Sequence, residues 1–162
     1  MRWTLSCAKN RSPRDPMLRE LLAAFILLGL CVLIHCAGIA LILRQIHTHP
    51  PVPTDRPWKV ALVFVEIAWK LTSLHLFQIV LWAVYFKVQG CLPDFETALY
   101  FSGVSYSTLG YGDVVLPQGW RTLGPAEGLT GILMCGLSTG LFFAIAHRLL
   151  AARVHRHPNP PR

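Results

Sequence analysis

Ser107-Thr108-Leu109-Gly110-Tyr111-Gly112-Asp113-Val114 is the stretch on which the reading of the chain turns. Its glycines alternate with larger residues, so every second position can take the left-handed backbone that a Cβ resists. A segment built this way can aim its carbonyls to one side while Leu109 and Tyr111 send their side chains to the other. In a soluble protein Gly-Tyr-Gly is simply a turn. The flanks of this segment point elsewhere.

Upstream, Pro93-Asp94 and then Phe95-Glu96-Thr97 read as a helix start, with Asp94 as N-cap and acid in the first turn. The helix predicted to follow, 94–107, rises only about 20 Å. That is too short for a hydrocarbon layer of about 30 Å, so it must enter and leave the membrane on one face. Non-helical backbone at membrane depth survives only where protein buries it or water lines it.

The 162 residues are 53% hydrophobic and only 14% charged, which suits one integral membrane domain and leaves no room for a soluble one. Leu21 to Leu43 carries no formal charge and can cross a bilayer with some tilt. Val60 to Phe86 is a second span, with Glu66 and Lys70 inside it, and Thr122 to Leu150 a third, behind the interfacial pair Trp120-Arg121. The expected fold is an all-α membrane protein with three transmembrane helices, a re-entrant helix and a loop. Its parts are a basic tail 1–20, a first helix 21–43, a Pro/His-rich loop 44–59, a main domain 60–150 and a basic tail 151–162. Met1 to Pro16 with the first apolar run could instead be a signal peptide, but the run is too long and no small-residue cleavage site follows.

From about Trp82 to Arg148 the chain resembles the two-helix pore module of the ion-channel superfamily, best matched by small bacterial potassium channels. The familiar filter is Thr-Val-Gly-Tyr-Gly-Asp, and Leu109 departs from it at a side chain that does not face the ion. The resemblance implies a homotetramer, each copy giving an outer helix 60–86, a pore helix 94–107, a filter 108–113 and an inner helix 122–150. Stacked carbonyls of Thr108, Leu109, Gly110, Tyr111 and Gly112 would replace the water shell of K+, and the Thr108 hydroxyl would add a ring at the inner end. Asp113 would accept a hydrogen bond from an aromatic residue behind the filter, and Tyr100-Phe101 stands where relatives carry a Trp-Trp cuff. Val104 stands where some relatives place a glutamate, so inactivation through that acid is in doubt.

Gly131 falls at the relatives' hinge glycine, with Gly136 and Gly140 as further candidates; the other reading of all three is close helix contact. Ile132, Cys135 and Thr139 fall at cavity-lining positions on one helix face. No arginine ladder appears in any span, which excludes a classical voltage sensor, and the dozen residues after the last span predict no nucleotide-binding or calcium-sensing gating domain. The resemblance thus implies passive, potassium-selective conduction, K+ as permeant ion with no further cofactor, and no enzyme activity. Expected partners are three further copies and membrane lipids, with no nucleic acid; the expected location is a bacterial inner membrane. The rivals are a weakly selective cation channel and a non-conducting scaffold or accessory subunit. An intramembrane enzyme would need more than Cys31 and His35, which share a helix face without a third partner.

The filter of such channels opens outward. Between Lys87 and Glu127 the acids Asp94, Glu96, Asp113 and Glu127 face Lys87 and Arg121, two positive against four negative charges, which makes an acidic mouth. Arg148, Arg153, Arg156 and Arg162 then place the last tail in the cytoplasm. Three spans force the N-terminus outside, although Arg2, Lys9, Arg11, Arg14 and Arg19 outnumber Arg44, Arg56 and Lys59 in the first loop. A start at Met17 would remove the conflict; so would a first helix that does not fully cross.

Glu66 and Lys70 are spaced as a helical ion pair with the acid N-terminal, either a neutralised pair or a gating switch. Glu127, at the start of the inner helix, either hydrogen-bonds the pore helix or titrates a filter gate. His35 and His75 lie inside spans, where an interhelical hydrogen bond competes with pH sensing. Cys31, Cys36 and Cys135 read as packing residues, whereas Cys91 is expected to face the outer solution. His47-Thr48-His49 and His155-Arg156-His157 read as solvated loop segments rather than metal sites.

Overall fold

A computed structural model of the chain describes residues 16–48 and 57–154. The basic residues before Pro16, Cys7, His49 and the tail histidines His155 and His157 lie outside the described residues, and so does any evidence bearing on a start at Met17. Four helices follow one another: α1 (Pro16–Thr48), α2 (Pro57–Val88), α3 (Phe95–Tyr106) and α4 (Leu123–Val154), with no strand among the described residues. Leu18–Thr48, Trp58–Val88 and Leu123–Arg148 are long and apolar enough to cross a membrane. The 12-residue α3 is not.

Each long helix buries one stripe and leaves the rest apolar and exposed. On α1 the stripe runs Glu20, Ala24, Leu27, Cys31, His35 and Ile42, while Phe25, Ile26 and Leu33 face outward. On α4 it runs Leu123, Glu127, Thr130, Met134, Ser138, Leu141 and Ile145. These steps of three, four and seven residues are the helical repeat. Outward-facing leucines and phenylalanines are what a lipid-facing surface requires.

The buried stripes meet in three layers. Near the filter, Leu27, Trp82, Phe86, Phe101 and Leu123 form one apolar cluster; at the other end, Ile42, Ile67, Leu71, Leu141 and Ile145 form a second. Between them lies a polar layer of His35, His75, Gln78, Tyr106 and Ser138.

Contacts run along α1 from the filter end to the second apolar cluster. At the filter end Thr122 donates to Glu20, Arg19 donates to Gln89 at 3.3 Å, and the Arg19 guanidinium lies 5.5 Å from the Trp120 ring centre. At the far end Lys70 Nζ donates to Gln45 at 2.7 Å. The start of α1, the end of α2 and the start of α4 therefore share the filter's side, as an odd number of spans demands. Cys91 also departs from expectation. Its amide bonds back to the Phe86 carbonyl at 3.0 Å, which folds the loop onto the outer cluster and leaves the residue only 5% exposed.

Candidate functional site: the loop after α3

Helix α3 starts where its side chains can satisfy it. Asp94 is the N-cap, accepting from the Thr97 amide at 2.7 Å and the Thr97 hydroxyl at 3.0 Å, and these bonds hold its carboxyl below the usual range. At the other end the chain doubles back. The Ser107 amide bonds to the Gly103 carbonyl (3.1 Å), Thr108 to Ser105 (3.0 Å), and Leu109 and Gly110 both to Val104 (3.0 and 3.3 Å). The last carbonyls of α3, which have no partner inside the helix, are thereby satisfied. The amides of 107–110 are turned toward α3, and among the described residues no backbone amide reaches the carbonyls of 108–112.

Three residues in alternation have left-handed φ: Thr108 at 63°, Gly110 at 56° and Gly112 at 79°. For the glycines this costs nothing, but a β-branched threonine there is strained by about 1–3 kcal/mol. The four bonds anchoring 107–110 to α3 hold it in place. Thr108, Leu109, Gly110, Tyr111 and Gly112 are all exposed on the isolated chain.

Behind the loop, Tyr100 donates its hydroxyl to Asp113 Oδ2 at 2.7 Å, and this bond holds the Asp113 carboxyl below its ordinary value. Because the native value is depressed, the contribution is full above the unfolded carboxyl value of about 4 and is lost as pH falls through the lower native one. Tyr100→Phe is therefore expected to raise the pH at which Asp113 protonates, read from its side-chain carboxyl resonance during an NMR titration; an unmoved midpoint would contradict it. Phe101 packs edge-on against Phe86, centroids 5.3 Å apart, and ties α3 to α2.

Helix α4 packs on the end of α3 through glycines. A Cβ at Gly131 would sit 1.9 Å from the Tyr106 carbonyl oxygen, and one at Gly128 would sit 3.2 Å from that of Ser105. Gly131 is thus a contact glycine. Nothing lies within 4 Å of a Cβ at Gly136 or Gly140. Ile132, Cys135 and Thr139 are exposed along one face of α4, and Thr139 donates to the Cys135 carbonyl at 2.9 Å.

Glu127 is fully buried beside Ser102 of α3, yet neither carboxylate oxygen has a hydrogen-bond partner, and the same holds for Ser102 Oγ and Trp82 Nε1. Glu66 and Lys70 pair at 2.5 Å, at the end of the bundle remote from the loop. The structure does not bring them to the loop. Through Tyr106, at the end of α3, it does link residues that the sequence left unassigned: Gln78 directly, and Ser138 by way of His75. Their signal was present, since each is a polar residue on the buried stripe of an apolar helix. No group of three potential metal ligands occurs among the described residues.

No curated protein and no solved structure matches the chain. A family model described as an ion channel matches residues 58–148, which takes in α2, α3, the loop and α4 as far as Arg148 and leaves α1 as an addition to the matched part. That match spans 91 residues (148 − 58 + 1) of 162, and with three helices able to cross a membrane and a short one between two of them, the chain belongs to the two-helix-pore ion channel family.

Proposed function

We propose that the chain assembles as a homotetramer that conducts K+ passively and selectively, with residues 108–112 as its filter, in a bacterial inner membrane. The observation that carries this reading is the alternation of left-handed backbone at Thr108, Gly110 and Gly112, with the amides of 107–110 bonded back to α3. Carbonyls without amide partners are what a dehydrated K+ needs. Tyr100 and Asp113 brace the outer end, and Phe101 the back.

A closed ring of copies is required because one loop supplies one side of a cage and a closed ring leaves no open interface, and the number four is what the resemblance to potassium channels implies. The occupant expected on the open side of the loop is a second copy. A concavity of about 670 Å³ there is lined by Val104, Thr108, Val115, Leu129 and Ile132, and Leu109 and Tyr111 are 59% and 66% exposed. In this arrangement Ile132, Cys135 and Thr139 line the cavity below the filter.

Potassium flux into liposomes holding the purified protein tests the reading, with sodium as competitor and barium as blocker. Barium-sensitive flux that favours potassium by more than about tenfold, 1.4 kcal/mol of discrimination, is expected. Equal sodium flux would make it a weakly selective cation channel, and absence of flux would mean a closed gate or a scaffold. Native mass spectrometry in detergent checks the fourfold mass independently.

A further inference from the structure

The polar layer at mid-height closes on itself. Gln78 Nε2 lies 3.3 Å from His35 Nδ1; His35 Nε2 lies 3.1 Å from Ser138 Oγ; Ser138 Oγ lies 3.0 Å from His75 Nε2; His75 Nδ1 lies 2.9 Å from the Tyr106 hydroxyl; and that hydroxyl donates to Gln78 Oε1. Five side chains from all four helices thus form one ring. The histidine ring centres are 5.1 Å apart.

One bond outside the ring gives it a direction. Gln78 Nε2 also donates to the Cys31 backbone carbonyl at 3.0 Å, so the amide cannot be flipped without setting two oxygens against each other. With the amide fixed, Gln78 donates to His35 Nδ1, which must accept; His35 then carries its proton on Nε2 and donates to Ser138. The Ser138 hydroxyl donates to His75 Nε2, so His75 carries its proton on Nδ1 and donates to Tyr106, which donates to Gln78 Oε1. Each member gives one proton and takes one, and the two neutral histidines hold opposite tautomers.

We infer that this ring is a proton-binding site that regulates conduction: it closes only while both histidines are neutral, and a proton arriving from water opens it and loosens the inner end of α3, which carries the filter. On His35 the added proton would confront the Gln78 amide. On His75 it would face Ser138 and expel the serine's own proton from the ring. A route for the proton exists, because His75 and Ser138 line an open pocket of about 360 Å³ with Thr72, Cys135 and Thr139. The other titratable groups facing the layer are Cys31 from α1, Tyr106 from α3, and Cys135 and Glu127 from α4. No aspartate, lysine or arginine adjoins the histidines among the described residues to compensate a new charge. Opening weakens the hold of α2 on Tyr106, and Thr108 follows Tyr106 by two residues.

The conduction part of this inference rests on the channel reading, but the ring does not. Solid-state NMR of ¹⁵N-histidine-labelled full chain in liposomes at about pH 8 reads the tautomers directly, with His35→Gln and His75→Gln spectra assigning the signals. His75 with its proton on Nδ1 and His35 with its proton on Nε2 are expected, and His75 found in the Nε2 form would overturn the ring. Potassium flux is expected to fall by about fivefold or more between about pH 8 and pH 5, with both tautomer signals giving way to imidazolium over the same interval. His75→Gln should flatten that fall and Glu127→Gln should leave it. The reverse result, or wild-type flux that does not change while the imidazolium signals grow, refutes the regulatory role. Should the liposomes pass sodium as readily as potassium, the selectivity reading fails while the tautomers still decide the ring.

Discussion

Gly131→Ala is expected to abolish conduction while Gly136→Ala preserves it, although the two glycines are little more than one turn apart on α4. An alanine Cβ at 131 would fall 1.9 Å from the Tyr106 carbonyl oxygen and 2.9 Å from its carbon. Both are backbone atoms, so no side-chain rotation relieves the overlap, and α4 must retreat or the end of α3 must shift. Overpacking of this kind costs about 1–3 kcal/mol per site, and four copies would share one pore. The filter begins immediately beyond that carbonyl, so potassium flux should fall by more than about tenfold, a change of only 1.4 kcal/mol. At Gly136 a methyl group meets nothing within 4 Å, and alanine favours the helix by about 1 kcal/mol. That variant should keep its flux and melt no lower than wild type by fluorescence-detected size exclusion. Wild-type flux from Gly131→Ala would show that the two helices separate freely, and loss of flux from Gly136→Ala alone would place the critical glycine there instead.

The second large effect is expected at Gly112. Its φ of 79° lies where an L-residue loses about 1–2 kcal/mol, so Gly112→Ala should drive the segment toward a right-handed backbone and rotate a carbonyl out of line. Space is not the obstacle, since nothing lies within 4 Å of a Cβ there. The predicted outcome is therefore assembled, membrane-inserted protein whose preference for potassium over sodium collapses by about tenfold or more. Thr108 already carries the same strain, and its left-handed backbone survives because four hydrogen bonds anchor that turn to α3. Gly112 lies beyond those bonds and has less to hold it. Competition flux with sodium is the measurement, and unchanged selectivity in Gly112→Ala would separate the backbone alternation from ion choice.

Much of the helical plan was legible because its signals are local. Apolar runs long enough to cross hydrocarbon and an Asp94 N-cap with acid in the first turn need only neighbouring residues to be read. Boundaries moved by a few residues at most at α3, whose ends are Phe95 and Tyr106. The long helices extended further, α1 to Pro16–Thr48 and α4 to Leu123–Val154, since hydropathy marks the part that meets lipid and not the turns that continue beyond it. Cys91 was misplaced for a related reason. Its place in the outward-facing stretch after the second span reads as solvent-facing, and only the fold reveals that its amide reaches Phe86 and seats it in the core.

The candidate site divides in the same way. Residues 107–114 announce their alternation in the sequence, because the freedom of glycine is a property of the residue itself. Whether Gly131 bends or packs could not be read there: both uses want a missing side chain, and the choice lies in what occupies the empty space. Tertiary structure put the Tyr106 carbonyl in it. His35, His75, Gln78 and Ser138 are visible along the chain as polar residues in apolar helices, but a hydrogen-bond ring is a relation among four helices, and 103 residues separate His35 from Ser138. The sequence by itself determined which segments enter the membrane and where the backbone can alternate, since both follow from transfer energies and local sterics. Only the packed bundle decided which glycine carries a contact and which polar groups satisfy one another, because those energies depend on distances that no local pattern encodes.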